Sequence, residues 1–429
     1  MGRALRHRNY RLFFMGQGVS LVGTWITRVA TSWLVYRLTG SELLLGVVSF
    51  AAQIPTFLVA PLAGVWVERW SRHGVLVVTQ ALSLVQSALL AWFTLRGEMT
   101  VPLLLVLAAF QGLINAFDTP ARQAFVVEMV DVRDDLANAI ALNSTMVNGA
   151  RLVGPSVAGI LIAAVGEGWC FAIDAASYVF VIGSLLAMHL RPREQRLLRA
   201  SFLADLRGGF GYVRRFTPIR AILTLLAIIS LTSMPYTTLM PVFATEVLGG
   251  GPNTLGFLTA AIGLGAVSGA LWLAARPSVL GLGRVLLAAA FVFGGGLVAF
   301  SLSRSIWLSI PILAVTGAGM MIQMAASNTL IQTLVDEDMR GRVMSFYTMA
   351  FFGMAPIGSL LGGWLGSLFG APAAVALGGA VTLAAAFWFA RKLPELRRAA
   401  RPVYERLGIL LPIANAINDT AEMRRPPET

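Results

Sequence analysis

Twelve stretches of mostly apolar residues run through this chain, each about as long as a helix must be to cross the hydrocarbon core of a bilayer. Inside lipid a backbone must satisfy its own hydrogen bonds, and apolar runs of about 20 residues do so as single helices. Short turns rich in glycine, proline and charge separate many of the runs, so neighbouring helices are expected to be antiparallel. The sequence therefore predicts an all-α membrane protein with twelve transmembrane helices. The predicted spans are residues 12–38, 43–67, 74–96, 101–125, 137–165, 168–190, 218–246, 253–275, 283–303, 306–334, 343–369 and 371–393.

The composition excludes most soluble and redox proteins. Hydrophobic residues make up 57% of the 429 residues and charged residues only 13%, well below the share in a soluble domain. The lone Cys170 excludes a disulfide framework, and three scattered histidines do not suggest a metal cluster. We expect no cofactor, no metal and no enzymatic activity, because an intramembrane enzyme would need clustered nucleophiles, bases or metal ligands.

The positive charges predict the orientation of the spans. Of the 33 Lys and Arg residues, 28 fall in loops and termini on one face of the predicted bundle and three on the other. Cytoplasmic loops carry such an excess, so both termini are predicted to be cytoplasmic, in a bacterial inner membrane. The net charge of +12 then reflects this bias, and we expect no nucleic-acid partner.

An internal repeat divides the chain into two halves. Residues 141–159 align without gaps on 342–360, which matches Pro155 with Pro356, and each segment begins the fifth span of its half. Two six-helix bundles related by a parallel internal repeat are the plan of many secondary transporters. The predicted units are a first bundle at 1–190, a linker at 191–217, a second bundle at 218–393 and a cytoplasmic tail at 394–429.

The linker at 191–217 combines arginines with apolar residues near helical spacing. This pattern predicts an amphipathic helix lying on the anionic cytoplasmic leaflet of the bilayer. A solvated basic linker is the alternative.

The loop after the second span carries a charged motif, GVWVERWSRH at 64–73. It resembles the signature loop of the major facilitator superfamily, G-x-x-x-D-R-x-G-R-R/K, with departures at Glu68, Ser71 and His73. In that family the loop latches the cytoplasmic ends of the two halves, where an arginine meets an acid of span four. The alternative is ordinary positive charge at a turn. The resemblance implies a conformational latch made of Gly64, Glu68, Arg69, Arg72, Asp118 and Arg122.

Three further segments resemble the branch of this superfamily that includes bacterial enterobactin exporters and macrolide efflux proteins. They read NAFDTPAR at 115–122, LANAIALNS at 136–144 and ARLVGP at 150–155. The resemblance implies a monomeric exporter of an amphiphilic drug or siderophore-like metabolite. Coupling to protons stays open, because span four lacks the arginine that many antiporters carry there. Residues expected to pack helices closely are Gly154, Pro155, Gly159, Gly358 and Gly362.

Polar residues recur at helical spacing inside several predicted spans, which indicates faces turned to a water-filled cavity or to a partner helix. Interhelical hydrogen bonding is the alternative for any single residue. The predicted substrate-cavity residues are Gln17, Thr24, Arg28, Gln111, Asn115, Asn148, Arg151, Ser233 and Gln323.

Two of these residues, Arg28 and Arg151, lie deep in their spans. A charge there costs at least ~2.5–3.5 kcal/mol on insertion scales, so each arginine needs an acid such as Asp118 or Asp174, or a ligand. A pair of deep arginines favours an anionic or hydrogen-bond-accepting amphiphile as substrate. A lysophospholipid flippase of the same fold is the alternative function.

Overall fold

Helices form every regular element in the part of the chain that the computed structural model describes, residues 3–130, 133–189, 202–276 and 278–408. A short 3-10 turn, Arg3–Arg6, precedes the first long helix. The helices of the first half are α1 (Arg8–Thr39), α2 (Glu42–Arg69), α3 (Arg72–Leu95), α4 (Val101–Phe125), α5 (Arg133–Val165) and α6 (Glu167–Leu186).

Local chemistry ends and begins these helices close to the predicted boundaries. Gly40 stops α1 in the left-handed region, at a φ of 58°, where a residue with a Cβ would be strained. The side chain of Ser41 then caps α2 by accepting a hydrogen bond from the Leu44 amide, and Ser71 caps α3 in the same way. The turns between consecutive helices are short, as the sequence predicts.

The helix α7 (Phe202–Arg215) lies within the predicted linker, whose residues 191–201 are outside the described part of the chain. The helices of the second half are α8 (Thr217–Thr232), α9 (Met240–Val242), α10 (Pro252–Ala274), α11 (Leu282–Leu302), α12 (Ile306–Leu334), α13 (Arg340–Thr348), α14 (Met354–Phe369) and α15 (Ala371–Arg406).

Two spans of the second half are interrupted, although the sequence predicted continuous helices. Span seven passes from α8 through a 3-10 turn, Met234–Thr237, to the short α9 and a π-helical turn, Phe243–Val247. Pro235 and Pro241 lack the amide hydrogens that a regular helix would use, which accounts for the break. In span eleven a π-helical turn, Met349–Gly353, joins α13 to α14.

Eleven helices of the described residues are long and apolar enough to cross a membrane, against the twelve predicted. The helix α1 is not among them, and its 32 residues include Arg28 in the interior. Whether all twelve cross therefore stays a prediction. At the other end of the chain α15 continues to Arg406, so the helix extends well beyond residue 393, where the tail was expected to begin.

The two halves meet along two helix pairs, α2 with α14 and α5 with α10. Glycines make each crossing close: a Cβ built on Gly46 would lie 3.0 Å from the Cα of Gly363, and one on Gly159 would lie 2.9 Å from the Cα of Gly256. Spans two and five of the first half thus pair with spans eleven and eight of the second. The second and fifth spans of each half therefore form the contact, which agrees with two helix bundles related by a parallel repeat.

Candidate functional site

A tryptophan between two arginines lies where α1 packs against α5. Trp25 and Arg28 are one turn apart on α1, and the Cζ atom of Arg28 lies 4.8 Å from the centroid of the indole. The Cζ atom of Arg151, on α5, lies 5.5 Å from the same ring. Both guanidinium groups are therefore within cation–π distance of one indole. We call Trp25, Arg28 and Arg151 the cationic centre.

The small residues of α5 leave room for this arrangement. A Cβ on Gly154 would lie only 2.4 Å from the Cβ of Trp25, so any side chain there would force α1 and α5 apart and shift Trp25 with its helix. Gly154 was predicted as a packing residue, and the contact shows which neighbour its small size accommodates.

Asp174, one of the two nearest acids by depth, pairs with neither arginine of the cationic centre: one of its oxygens accepts from hydroxyls, and the other, Oδ1, is buried with no hydrogen-bond partner among the described residues. The Asp174 carboxylate accepts hydrogen bonds from the hydroxyls of Thr27, at 2.8 Å, and Ser87, at 2.9 Å. Among the described side chains, neither Arg28 nor Arg151 lies within 4.0 Å of an acid oxygen, and the buried Nε of Arg151 has no hydrogen-bond partner. The sequence left pairing with Asp174 open, and the structure joins that acid to hydroxyls instead.

The second half contributes to the surroundings of Arg151. Tyr236, in the 3-10 turn of span seven, is buried and lies near Arg151. A Cβ on Gly263 of α10 would lie 3.1 Å from the carbonyl oxygen of Arg151, so Arg151 lies where α5 contacts the second half. The three-residue spacing of Trp25 and Arg28 on one helix could have predicted that the indole lies beside Arg28. Nothing in the sequence links Tyr236 to Arg151.

Gln111 and Asn115 form a separate polar group on α4. The side-chain amide of Gln111 donates to Asn115 Oδ1, at 3.2 Å, and to Ser83 Oγ on α3, at 3.3 Å. The buried Oε1 of Gln111 has no hydrogen-bond partner among the described residues. The structure thus brings these two predicted cavity residues together, but it also bonds Gln111 to α3.

Three more predicted cavity residues lie on α1 and α5. Thr24 is exposed and donates to the Ser20 carbonyl of its own helix, and the half-buried Asn148 likewise donates to the Ser144 carbonyl. Gln17 is buried, with 4% of its surface exposed. Thr24 and Arg28 are one turn apart and both exposed, so they share an accessible face of α1.

The two predicted cavity residues of the second half are enclosed by protein. Ser233 donates to the Gly378 carbonyl at 2.8 Å, which joins span seven to α15. Gln323 is 1% exposed and its amide reaches Ser327 on the same helix at 3.5 Å. For Ser233 this is the interhelical hydrogen bond that the sequence left as the alternative.

The loop between α2 and α3 contains the predicted latch. Arg72 donates to Glu128 Oε1 at 2.8 Å, and Asp118 of α4 pairs with Arg122 at 2.5 Å. The resemblance implied an acid of span four as the partner of the loop arginine, whereas the structure supplies Glu128 from the 3-10 turn after α4. The side chains of Glu68 and Arg69 lie outside the described part of the chain, and Gly64 is half-buried.

The remaining packing residues bring helices into close contact. A Cβ on Gly358 would lie 2.5 Å from the Leu231 carbonyl oxygen, and one on Gly362 would lie 2.4 Å from the Cβ of Pro235. In the first half, the carbonyl oxygen of Pro155 would lie 2.9 Å from a Cβ on Gly256. These distances are below ordinary van der Waals contact, so larger residues would separate the helices.

A hydrogen bond links the halves at one end of the bundle. The Tyr36 hydroxyl, near the end of α1, donates to Glu246 in the π-helical turn of span seven. The glycine crossing of Gly46 and Gly363 lies at this same end, because Gly46 is in the second turn of α2. At the opposite end, the Arg72–Glu128 pair joins two elements of one half. We call the end with Tyr36 the closed end.

Comparison with known proteins identifies relatives along the whole described chain. A family model described as "transmembrane secretion effector" matches residues 3–407. The staphyloferrin A transporter of Staphylococcus aureus is 25% identical over 367 residues, which cover 84% of this chain and 90% of the relative. The enterobactin exporter EntS of Shigella boydii is 25% identical over 397 residues, 91% of this chain and 93% of the relative.

The fold also resembles solved transporters. The crystal structure of a bacterial homolog of the human lysosomal transporter Spinster, inward-facing and unoccupied, superposes with a TM-score of 0.69. It is 15% identical in sequence and the match covers 93% of this chain and 98% of that one. At this identity the likeness concerns the fold alone.

Proposed function

This chain belongs to the transmembrane secretion effector family of the major facilitator superfamily, and from that premise we propose that it exports an amphiphilic small molecule bearing an anionic group. It is a multi-pass membrane transporter and not an enzyme. The names of its relatives point to siderophores as the class of cargo, because one is a staphyloferrin A transporter and another an enterobactin exporter. A drug with the same chemistry is the second possible cargo.

The observation that carries the proposal is the uncompensated charge of the cationic centre. A charge deep inside a membrane protein is costly unless water or a partner compensates it, and Arg28 is exposed while Arg151 is half-buried, so a ligand can reach both. Asp174 pairs with neither arginine, and no described acid lies within 4.0 Å of them, so an anionic group on the substrate would supply the partner that Arg28 and Arg151 lack. The indole of Trp25 adds an apolar surface beside the two charges, which suits an aromatic or acyl part of the same molecule.

Export is the direction that the names of the relatives support, and the closed end together with the predicted topology agrees with a state that faces the cytoplasm. With cytoplasmic termini, the Tyr36–Glu246 bond and the Gly46–Gly363 crossing lie on the periplasmic side. The cationic centre is then reached from the cytoplasm, where an exporter loads its cargo. Alternating access would require these periplasmic contacts to separate.

Transport in membrane vesicles tests the proposal. We expect Arg151→Gln to weaken transport of an anionic amphiphile by about tenfold or more, as for a lost hydrogen bond to a charged group, and to spare a neutral analogue. Arg96→Gln is the matched control, because Arg96 also lies over an indole, 4.1 Å from the Trp92 centroid, but in a loop outside the cationic centre.

Equal losses for anionic and neutral cargo, with normal amounts of folded protein, would contradict the proposed role of Arg151. Adding lysophosphatidylglycerol to the assay distinguishes the lipid flippase, whose substrate also carries an anion. Collapsing the proton gradient in the same vesicles measures whether protons drive the cycle.

A further inference from the structure

A cavity of about 620 Å³ lies where α7 and the last turns of α15 meet the end of α12. Its wall includes Leu334, the last residue of α12, and Phe216, the residue before α8 begins. Both residues stand at the ends of candidate spans, so the cavity lies at the boundary between hydrocarbon and water. It shares no residue with the cationic centre.

Helix α7 builds one side of this cavity because glycines let it pack closely. A Cβ on Gly209 would lie 2.9 Å from Cε2 of Phe346, which holds α7 against α13. On the cavity side, a Cβ on Gly211 would meet nothing within 4 Å. The cavity is therefore open space beside a firmly packed helix.

The charges around the cavity leave a net positive site. Asp336 accepts hydrogen bonds from the Tyr212 hydroxyl at 2.9 Å and from Arg406 at 3.0 Å, so its charge is already satisfied. Burial raises the pKa of the Tyr212 phenol, which keeps the hydroxyl protonated as a donor. Arg215 is exposed at the cavity and has no acid partner among the described residues.

We propose that this cavity binds an anionic phospholipid of the cytoplasmic leaflet, a site independent of the transported substrate. The phosphodiester would meet Arg215 and Arg406, and the first part of the acyl chain would lie against Phe216, Leu334 and Val403. The lipid would join the linker helix to the second half at the membrane surface. The choice of leaflet rests on the predicted orientation of the spans.

Native mass spectrometry of the purified full chain tests this site. The probe is phosphatidylglycerol, with phosphatidylcholine as the neutral comparison. We expect Arg215→Gln to retain phosphatidylglycerol about fivefold more weakly than the wild type, the usual effect of one basic residue at an anionic surface. Arg214→Gln removes the same charge from the neighbouring position, which does not line the cavity, and should bind like the wild type.

A second variant separates filling the cavity from removing charge. Gly211→Leu places a side chain in the open space of the cavity without changing charge, and leucine favours a helix. We expect it to lose the bound lipid while its unfolding temperature stays at or above that of the wild type.

The proposal would be overturned by equal retention in Arg215→Gln and Arg214→Gln, by equal retention of phosphatidylcholine and phosphatidylglycerol by the wild type, or by undiminished retention in Gly211→Leu. Displacement of the lipid by millimolar inorganic phosphate would instead identify a site for a free anion and would also overturn it.

Discussion

Replacing Gly363 by alanine should shift the protein away from the state in which the Tyr36 end is closed. A Cβ at this position would lie 2.6 Å from the Glu42 carbonyl oxygen and 2.8 Å from the Cα of Gly46. Both neighbours are backbone atoms of α2, so no side chain can rotate to make room. The two helices must separate by about 0.8 Å, the difference between 2.6 Å and the 3.4 Å at which ordinary contacts begin.

The size of the effect follows from the cost of that clash. Overpacking of a close contact costs roughly 1–3 kcal/mol. The clash exists only while α2 and α14 touch, so its cost falls on the state in which the Tyr36 end is closed. The ratio of this state to the states in which that end is open should fall by roughly 5–150-fold. The protein should then populate conformations in which these helices are apart, and export should slow at the step that closes this end.

Distances between spin labels measure this shift. Labels at Glu98→Cys and Ser305→Cys report on exposed loops of opposite halves on the same membrane face, and the native Cys170 is buried. We expect Gly363→Ala to increase the population of the longer distance. Gly295→Ala is the control, because a Cβ there would meet nothing within 4 Å. A distance distribution identical to that of the wild type, in folded Gly363→Ala protein, would refute the reasoning.

Three further predictions concern the site, the loop and the topology. Gly154→Ala should shift Trp25 together with α1 and weaken substrate binding, and binding equal to that of the wild type in folded protein would show that the indole does not contact the substrate. Glu128→Gln should slow transport while costing no more than about 1 kcal/mol of stability, as expected for a partly exposed ion pair, and unchanged transport would remove Glu128 from the latch. A reporter fused after Gly408 should be active only in the cytoplasm, and periplasmic activity would contradict the predicted orientation.

The sequence predicts the positions of the helices well because long apolar runs have few alternatives. The run at 306–334 coincides with α12, and the run at 101–125 coincides with α4. The break in span seven was missed, since a proline inside an apolar run can either bend a helix or end it. The apolar pattern does not predict the extension of α15, because charged residues after an apolar run are typical of a solvated tail, although such residues are compatible with a helix.

The roles of the predicted site residues stay predictions, but some of their contacts can be compared with the sequence pattern. The cost of deep charge singled out Arg28 and Arg151, and the structure brings both onto one indole. Periodicity could not separate a cavity face from a face turned to another helix, and Ser233 therefore proved to bond α15. Contacts between distant segments, such as Arg72 with Glu128, depend on how helices pack and cannot be read from spacing alone.

The two arginines that share the Trp25 indole have an electrical consequence. A bound anion would neutralise their charge, so the loaded carrier would carry less net charge at this depth than the empty one. A membrane potential exerts about 2.3 kcal/mol per elementary charge per 100 mV across the full bilayer. With a negative interior, this force would draw the empty, positively charged site toward the cytoplasm and act only weakly on the loaded one. The voltage would then assist the return half of the cycle, and it should speed turnover most when cargo is abundant and the return of the empty carrier is the slow step.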